Sequence, residues 1–424
     1  MHKLETAVQE LNRGDNQAAH YQLRRFGQLQ KTFAEKFGVT ASEFFSTPGR
    51  TEIGGNHTDH NHGRVLAASI DLDSIAAVQR NNENRIELFS EGYKTSFAVN
   101  LSELDSVQQE QGTTYALIRG IAARFAQLGH KIGGFNACMT SAVLPGSGIS
   151  SSASVEVLVA TILSALYNDN RINPEELAKI SQYAENEYFG KPCGLMDQMA
   201  CAVGGVISID FRNPKNPIVE KVDFDFLEQD YSFLVVDTGG NHADLTEDYA
   251  AVPREMKAVA KKLGATVCRD VDVVTMSSAI PELREKTGDR AILRTLHFFA
   301  ENRRVLQQVR ALRNNRFQEF LQLVSDSGNS SYKRLQNIYT QREPRHQPVA
   351  LALALSEDYI LRVGEGACRV HGGGFAGTIQ VFLPNRAVEE YISLMESIFG
   401  RHKVIRLNIR PYGTVYLNEM KAWT

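Results

Sequence analysis

A glycine- and serine-rich loop between a strand and a helix constrains the fold of this chain most. Residues 135–167 read FNACMTSAVLPGSGISSSASVEVLVATILSALY. Before the loop, Phe135, Ala137 and Met139 alternate with polar or small residues, which predicts a strand. After the loop, the apolar residues fall on one face of a helix: Val155, Leu158, Val159, Ile162, Leu163 and Leu166. The chain must therefore turn tightly at the glycines and begin a helix among the serines.

This helix start is a candidate phosphate site. Free backbone N–H groups and the positive end of the helix dipole point outward there, and glycines let an anion approach the backbone closely. A single serine cap would be the ordinary explanation, but three successive serines exceed one cap. We predict nucleotide binding by Gly146, Ser147, Gly148, Ser150, Ser151 and Ser152. No lysine follows in the G-x-x-x-x-G-K-[ST] pattern, which excludes a P-loop NTPase.

A second glycine cluster, CRVHGGGFAGTIQVF, lies at residues 368–382 and formally contains G-x-G-x-x-G. A strand-like segment follows it instead of a helix, so it does not fit a dinucleotide-binding fingerprint. Alone, it predicts a glycine hairpin. Together with the first loop, it could close over a nucleotide from the other half of the chain.

Two polar segments are candidate chemistry. PGRTEIGGNHTDHNHGR, residues 48–64, carries three histidines without the H-x-x-x-H spacing or cysteine support typical of zinc sites. Asp197 stands in the apolar segment GLMDQMA, where burial of an unpaired carboxylate is costly. It therefore belongs either to a first helical turn or to a site where a cation holds it. Glu185, on a helical segment, fits a solvated surface charge when considered alone.

The wider pattern predicts an α+β protein, because strands and helices do not alternate as in a doubly wound sheet. The one loose linker, FRNPKNPIVE at residues 211–220, divides the 424 residues into predicted domains 1–213 and 214–424. The 46 basic and 49 acidic residues leave a net charge of −3, which disfavours nucleic acid and anionic membranes as partners. Five scattered cysteines and the absence of an apolar leader or membrane span predict a cytoplasmic protein.

Four motifs together resemble the galactokinases of the GHMP small-molecule kinase family. Residues 48–63 resemble the signature PGRVNLIGEHTDYNxG, and GSGISSSAS resembles the family's phosphate loop. GACRVHGGGFAG and AENEYFGKPCGLMDQ resemble two further family segments. The resemblance implies a two-domain α+β fold with an N-terminal half like domain 2 of ribosomal protein S5 and a ferredoxin-like C-terminal half. The active site is expected in the cleft between these halves.

The resemblance also implies roles for individual residues. Arg50 and Asp197 are expected to be catalytic, with Asp197 accepting or orienting the proton of the sugar O1. The expected sugar-binding residues are Asn56, His57, Asp59, Gly194 and Tyr249. Gly373 and Gly374 are expected to join the phosphate loop around ATP, and Ser152 and Glu185 to bind Mg²⁺. Such a site supplies the positioning and charge neutralisation that phosphoryl transfer requires.

One departure affects the expected substrate. The signature has glutamate where this chain has Asn56, and the family places that glutamate toward C6 of the sugar. An amide can donate to a hydroxyl but does not repel a carboxylate. Galactose stays the first expectation, but galacturonate gains ground as an alternative. N-acetylgalactosamine is a further alternative.

The predicted function is that of a sugar-1-kinase that acts as a monomer on a small sugar and ATP. Two other functional classes compete with this prediction. Some galactokinase relatives are non-catalytic sugar and ATP sensors, but these have a damaged serine loop, and here SSSAS is intact. Another GHMP activity, such as mevalonate or homoserine kinase, does not account for the HTD and KPCGLMDQ segments.

Overall fold

Two β-sheets organise the chain. The computed structural model describes residues 2–143, 149–239 and 245–420. The strands are β1 (Glu43–Gly54), β2 (Arg64–Arg80), β3 (Arg85–Ser90), β4 (Phe97–Asn100), β5 (Phe135–Ser141), β6 (Val206–Asp210), β7 (Ile218–Val222), β8 (Tyr231–Asp237), β9 (Ala367–His371), β10 (Thr378–Pro384), β11 (Val404–Leu407) and β12 (Val415–Tyr416).

Helices cover the two sheets. The α-helices are α1 (His2–Leu11), α2 (Asn16–Phe37), α3 (Thr114–Gln127), α4 (Ser151–Tyr167), α5 (Pro174–Tyr183), α6 (Met196–Val203), α7 (Thr246–Lys262), α8 (Val273–Ser278), α9 (Ile280–Thr287), α10 (Asp289–Arg313), α11 (Phe317–Ser330), α12 (Pro348–Val363) and α13 (Val388–Phe399). Two π-helical turns cover Ala184–Phe189 and Ser331–Leu335. Short 3-10 turns cover Asp59–Asn61, Gln108–Glu110, Phe226–Gln229, Cys268–Asp270 and Asn385–Ala387.

The larger sheet has eight strands, with the order β12-β1-β2-β5-β3-β4 and with β6 and β7 added beside β2. Strand β2 is long enough to pair with β6 through its first half and with β5 through its second half. In the described part of the chain, β3 and β5 form the one parallel pair, and every other named pair is antiparallel. The prediction that this is not a doubly wound sheet is confirmed.

One face of the larger sheet is covered by α3, α4 and α5. Helix α4 is apolar nearly all round, which is typical of a buried helix, and its Leu158 and Ile162 are completely buried in this core. Each such side chain stabilises the fold by about 1.5–3 kcal/mol relative to an exposed position. This packing fixes the start of α4. It therefore also fixes Ser150, which precedes the helix, and Ser151 and Ser152, which lie in its first turn.

The smaller sheet has the order β11-β8-β10-β9 and packs against α12 and α13. A second core joins it to the larger sheet. There, Phe233 of β8 and Phe382 of β10 stack at 4.9 Å, and Leu66 of β2 belongs to the same buried cluster through α10 and α11. The two sheets therefore share a continuous apolar contact.

The segment expected to link two domains is a hairpin connection within the larger sheet. Strands β6 and β7 pair antiparallel from Asp210 and Ile218 onward, so residues 211–217 close a turn. The chain reaches the smaller sheet only after Val222, and its C-terminal part returns to the larger sheet because β12 pairs with β1. Division into 1–213 and 214–424 stays a prediction.

No helix among the described residues is both long enough and apolar enough to cross a bilayer.

Candidate active site

An arginine–aspartate pair forms the centre of the site. Arg50 lies in β1, opposite Ser69 of β2, and Asp197 lies in the first turn of α6. The Arg50 Nε and Nη2 atoms donate to Oδ1 and Oδ2 of Asp197, each at 2.7 Å. The arginine side chain is 8% exposed and the aspartate 32%, so the carboxylate keeps an open side. The structure thus brings together the two residues expected to be catalytic.

Electrostatics keep this aspartate ionised. Burial alone would raise the pKa of Asp197, but the Arg50 guanidinium, the Ser150 hydroxyl and the Lys191 ammonium outweigh burial and hold that pKa below its ordinary value. Burial likewise opposes the charge on Arg50, and Asp197 outweighs it, so the arginine pKa is raised. The carboxylate is therefore ionised at neutral pH and is a weak base.

The start of α4 faces this pair. The helix begins at Ser151, and Ser150 precedes it in a left-handed conformation with φ of 59°. The Ser150 hydroxyl donates to Asp197, so the serine segment and the carboxylate are in direct contact. Ser151 and Ser152 occupy the first turn, where free backbone N–H groups favour anions. Gly146, Ser147 and Gly148 lie outside the described residues.

A cavity of about 270 Å³ opens beside the pair. This volume is near the lower limit of small-molecule sites, about 300 Å³. Its walls come from β1, the loop between β1 and β2 (residues 55–63, the signature loop), the segment before α6 and the glycines after β9. Its polar lining includes Arg50, Glu52, Asn56, His57, Asp59, His60, Lys191 and Asp197. The cavity therefore lies between elements of both sheets and presents the polar groups that a sugar requires.

Larger cavities lie elsewhere in the described structure, with volumes of about 740 and 920 Å³. The first lies between residues 221–227 and the N- and C-terminal segments, and the second lies around residues 340–351. Neither is lined by Arg50 or Asp197. We place the chemistry in the smaller cavity because position and charge, not volume, define an active site.

Gly194 and Asp59 meet at the cavity wall. A Cβ atom at Gly194 would lie 2.2 Å from Asp59 Oδ2, so only glycine allows the carboxylate to approach this backbone. The Asp59 Oδ1 atom accepts from the backbone N–H of His60 at 2.9 Å, which orients the side chain. Both predicted sugar-binding residues line the cavity, and their sugar contacts stay predictions.

Asn56 and His57 also line the cavity but are engaged by the protein. The Asn56 amide nitrogen donates to Glu52 Oε1 at 2.9 Å and to the Gly372 carbonyl at 2.6 Å. Its oxygen accepts from Asn337 at 2.8 Å, so no amide hydrogen remains for a sugar hydroxyl. The expected donation from Asn56 to the sugar does not fit this arrangement.

His57 has a left-handed backbone, with φ of 56°, and its Nε2 lies 2.9 Å from the Gly373 carbonyl. Burial lowers the pKa of His57 to about 4, so the ring is neutral at physiological pH. A neutral ring that donates Nε2–H to a carbonyl keeps Nδ1 as an acceptor. Its predicted contact with a sugar hydroxyl would use that atom.

The second glycine cluster is a loop between β9 and β10, as its hairpin pattern predicted. Gly372 and Gly373 line the cavity. Gly374 has φ of 77°, and its carbonyl accepts from the Tyr249 hydroxyl at 2.8 Å. Among the described residues, this loop contacts the sugar signature through Asn56 and His57. Nucleotide binding by Gly373 and Gly374 stays a prediction.

Tyr249 lies behind this loop. Its ring packs edge-on against Phe375 at 5.4 Å, and burial raises its pKa to about 12. A Cβ atom on Gly373 would lie 2.6 Å from the tyrosine ring. The structure places Tyr249 outside the cavity lining formed by the described residues, in contact with its glycine wall. A direct sugar contact from Tyr249 stays a prediction.

Glu185 is buried and not a solvated surface charge. It lies in the π-helical turn, where its Oε1 pairs with Lys191 Nζ at 3.1 Å and its Oε2 accepts from Gln198 at 2.7 Å. The same Gln198 nitrogen donates to Glu156, whose Oε1 is buried without a hydrogen-bond partner among the described residues. Burial, and then the Glu185 charge, raise the pKa of Glu156.

This acidic cluster is compatible with Mg²⁺. A carboxylate from Glu185 and a hydroxyl from Ser152 are hard oxygen ligands, which Mg²⁺ combines with phosphate oxygens and water. The unpartnered oxygen of Glu156 shows that the cluster has unused acceptor capacity. The described residues contain no group of three or more His, Cys, Asp and Glu side chains placed to hold a metal ion by themselves.

Sequence reasoning missed two residues of the cavity lining, Glu52 and Lys191. Glu52 lines the cavity and pairs with the fully buried Arg369 at 2.7 Å. Burial raises the pKa of Glu52, and the Arg369 ion pair opposes that rise. Lys191 lines the cavity beside Glu185. The signal for Glu52 was its position two residues after Arg50 on the same strand, which gives both side chains the same face.

Two family models match this chain. Residues 116–205 match the model of the GHMP kinase N-terminal domain, and residues 31–80 match the model of the galactokinase galactose-binding signature. Over these two segments the chain is similar to GHMP kinases and to galactokinases. These two matches cover the sugar signature, the start of α4 and Asp197.

Curated relatives and solved structures agree with this similarity. The galactokinase of Streptomyces coelicolor is 28% identical over 377 residues, covering 88% of this chain and 93% of the relative. The galactokinase of Clostridium tetani is 26% identical over 314 residues, covering 71% and 76%. The Lactococcus lactis galactokinase complexed with galactose superimposes with a TM-score of 0.78 at 22% identity, covering 92% and 99%. Methanococcus jannaschii mevalonate kinase has a TM-score of 0.60 at 17% identity, covering 87% and 98%. The predicted α+β GHMP kinase fold is confirmed.

Proposed function

We propose that this GHMP kinase transfers the γ-phosphoryl group of ATP to the anomeric hydroxyl of galactose, giving galactose 1-phosphate and ADP. The observation that carries the proposal is the bidentate Arg50–Asp197 pair at the wall of a sugar-sized cavity, in contact with the start of α4. The galactose-binding signature and the relatives named galactokinase supply the substrate.

In this mechanism, the sugar O1 attacks the γ-phosphorus, and the bond between that phosphorus and the bridging oxygen of ADP breaks. Asp197 accepts a hydrogen bond from O1–H and takes its proton as the new bond forms. Because the pKa of Asp197 is lowered, the proton leaves late, which suits a loose transition state. Afterwards the proton passes to solvent through the open side of the carboxylate.

Arg50 has two functions in this account. It holds the Asp197 carboxylate in one orientation through two parallel hydrogen bonds, and its charge can stabilise the phosphoryl oxygens in the transition state. The backbone N–H groups at Ser151 and Ser152 would bind ATP phosphates, with the glycine loop after β9 closing the opposite wall. Mg²⁺, when bound by Ser152 and Glu185, would neutralise charge on those phosphates.

Catalysis fits these residues better than a sensor function. A sensor needs to bind sugar and ATP but has no need for an ionised carboxylate held at the sugar by a buried arginine. In this chain the described serines of the loop are present and one of them contacts that carboxylate. A kinase uses every member of this arrangement.

The test is ADP release with ATP and Mg²⁺ over a panel of galactose, galacturonate, N-acetylgalactosamine, glucose and mevalonate. We expect the largest kcat/KM with galactose. Asp197→Asn should lower kcat by about a hundredfold to ten-thousandfold while the sugar Kd changes little, since the amide keeps the shape but cannot take the proton. Near-native turnover in Asp197→Asn would refute the assignment of the base.

We also propose that the protein is a cytoplasmic monomer. All five cysteines lie in the described residues and are free, and four of them are buried, which suits a reducing compartment. Sedimentation equilibrium at micromolar concentration tests the monomer, and a concentration-dependent mass would contradict it.

A further inference from the structure

Two signature positions have exchanged their side-chain chemistry in this chain. The galactokinase signature has asparagine at the position of Glu52 and glutamate at the position of Asn56. Here the two side chains contact each other, with the Asn56 amide donating to Glu52 Oε1 at 2.9 Å. One carboxylate and one amide are therefore kept in the same contact, but the charge is moved onto strand β1.

The exchange changes which group faces the cavity. The two amide hydrogens of Asn56 are used by Glu52 and the Gly372 carbonyl. Glu52 Oε1 accepts from Asn56 and Arg369, whereas Oε2 makes no hydrogen bond with the described residues. Because Glu52 also lines the cavity, Oε2 is the acceptor of this pair that a ligand can use.

Strand geometry places this acceptor at a useful distance from the chemistry. Arg50 and Glu52 pair in continuous register with Ser69 and Ala67 of β2, so their side chains share one face. Residues two apart on a strand are separated by roughly 6.5 Å. That separation is comparable with the width of a hexose, so a sugar with O1 at Asp197 would present its far side to Glu52.

We infer that Glu52 is the specificity-determining residue of this site, accepting a hydrogen bond from a hydroxyl of the sugar opposite C1 and excluding sugars with a carboxylate there. Arg369 offsets the repulsion of such a carboxylate only in part, because it pairs with Glu52 Oε1 from the buried side and also donates to the Ile53 carbonyl. This inference rests on the proposed sugar site. It differs from the expectation based on Asn56 alone, which kept galactose first but admitted galacturonate as an alternative.

The experiment compares the binding of galactose and galacturonate to the full chain by titration calorimetry, with kcat/KM for both sugars as a second readout. In the wild type we expect galactose to bind at least tenfold more tightly. Glu52→Gln should reduce that ratio by about tenfold to a hundredfold, because an amide neither repels a carboxylate nor forms a charge-assisted hydrogen bond. Glu43→Gln, on the same strand but outside the cavity, is the matched control and should keep the wild-type ratio.

Two further variants keep the test decisive if Glu52→Gln folds poorly: Glu52→Asn, which should reduce the binding ratio in the same way, and the exchange of the two residues. Asn56→Glu alone would place two carboxylates in contact and should lower stability. Glu52→Asn combined with Asn56→Glu restores the order of the signature and should recover stability and the preference for galactose. An unchanged binding ratio in Glu52→Gln, or in Glu52→Asn if the glutamine variant folds poorly, would overturn the inference, as would a wild type that prefers galacturonate. Loss of turnover on every sugar with selective binding intact would instead refute the kinase assignment.

Discussion

At the scale of single residues, the account depends on the charge of Asp197 at the pH of the reaction. Burial disfavours that charge, and Arg50 makes the largest contribution that favours it. A carboxylate whose pKa is lowered in the folded state stabilises the fold above its ordinary pKa. This contribution is lost as the pH falls through the lower, folded value. The Arg50–Asp197 pair therefore contributes stability throughout the neutral range.

Arg50→Gln should move the acid limb of the pH profile. In the wild type, Asp197 is ionised over the whole range from pH 5 to 8, so this group gives kcat/KM no acid limb there. Without the guanidinium, burial raises the pKa of Asp197, and an acid limb should enter this range. The measurement is kcat/KM against pH for both proteins at saturating ATP. Profiles of identical shape would contradict the assigned electrostatics.

At the scale of elements, the close approach of the segment before α6 to the signature loop sets the cavity wall. Gly194→Ala places a Cβ atom 2.2 Å from Asp59 Oδ2 and must displace one of the two segments. We expect a rise in KM for the sugar of about tenfold, as a displaced contact commonly costs 1–2 kcal/mol. Gly27→Ala is the control, because no atom lies within 4 Å of a Cβ there. That helical change should stabilise the fold by about 0.5–1 kcal/mol and leave KM unchanged.

The π-helical turn offers a matched pair of glutamates. Glu185 is buried beside Lys191 and Gln198, whereas Glu187 in the same turn is exposed. Glu185→Gln should raise the Mg²⁺ concentration required for half-maximal activity, because a neutral amide is a weaker ligand for a hard cation. Glu187→Gln should have no effect on it. Equal Mg²⁺ requirements in both variants would remove Glu185 from the predicted metal site.

Much of the element pattern was predictable because apolar periodicity is local information. The strand expected before the glycine–serine loop is β5, and the helix expected after the loop is α4. The hairpin connection at 211–217 was not predictable from the sequence, since prolines and asparagines are as typical of a hairpin turn as of a linker. The pairing of β6 with β7 makes this segment a hairpin connection, and the residues of a turn do not specify which strands pair.

The same limit applies to the site. The resemblance to galactokinases pointed to Arg50 and Asp197, which are 147 positions apart and do meet. The burial of Glu185 depends on Gln198 and Lys191, and that of Glu52 on Arg369, 317 positions away. Such partners are set by packing between elements. The position of Glu52 two residues after Arg50 was the available sign for it, without an indication of its partner.

At the scale of the whole molecule, the C-terminal segment is part of the larger sheet. Arg410 is buried against β1 and β2. Its Nη1 donates to Ser46 of β1 at 2.7 Å and lies 3.4 Å from Asp73 Oδ2 of β2. Burial lowers the pKa of Arg410 to about 10 despite the Asp73 charge. Asp73 also pairs with Arg25 of α2, so one ionic network joins both ends of the chain to the sheet.

Arg410→Met should therefore destabilise the protein with little effect on sugar binding. Removing one partner of a buried pair costs about 3–5 kcal/mol, and the remaining Arg25 contact favours the lower value. The control is Arg313→Met, which removes an exposed pair with Glu220 and should cost less than about 1 kcal/mol. Urea unfolding of the two variants checks this difference. Similar midpoints for both would show that the network does not stabilise the fold.

The central claim is transfer of a phosphoryl group to the anomeric oxygen of galactose. Phosphorylation at C1 blocks the reducing end of the sugar, whereas phosphorylation at any other hydroxyl leaves it free. The measurement is the phosphorus NMR spectrum and the reducing power of the product formed from galactose, ATP and Mg²⁺, with Asp197→Asn as the blank. We predict one phosphate ester formed in proportion to ADP, with an equal loss of reducing ends and no product in the blank. A phosphate ester that keeps its reducing end, or ADP release without any sugar phosphate, would contradict the account.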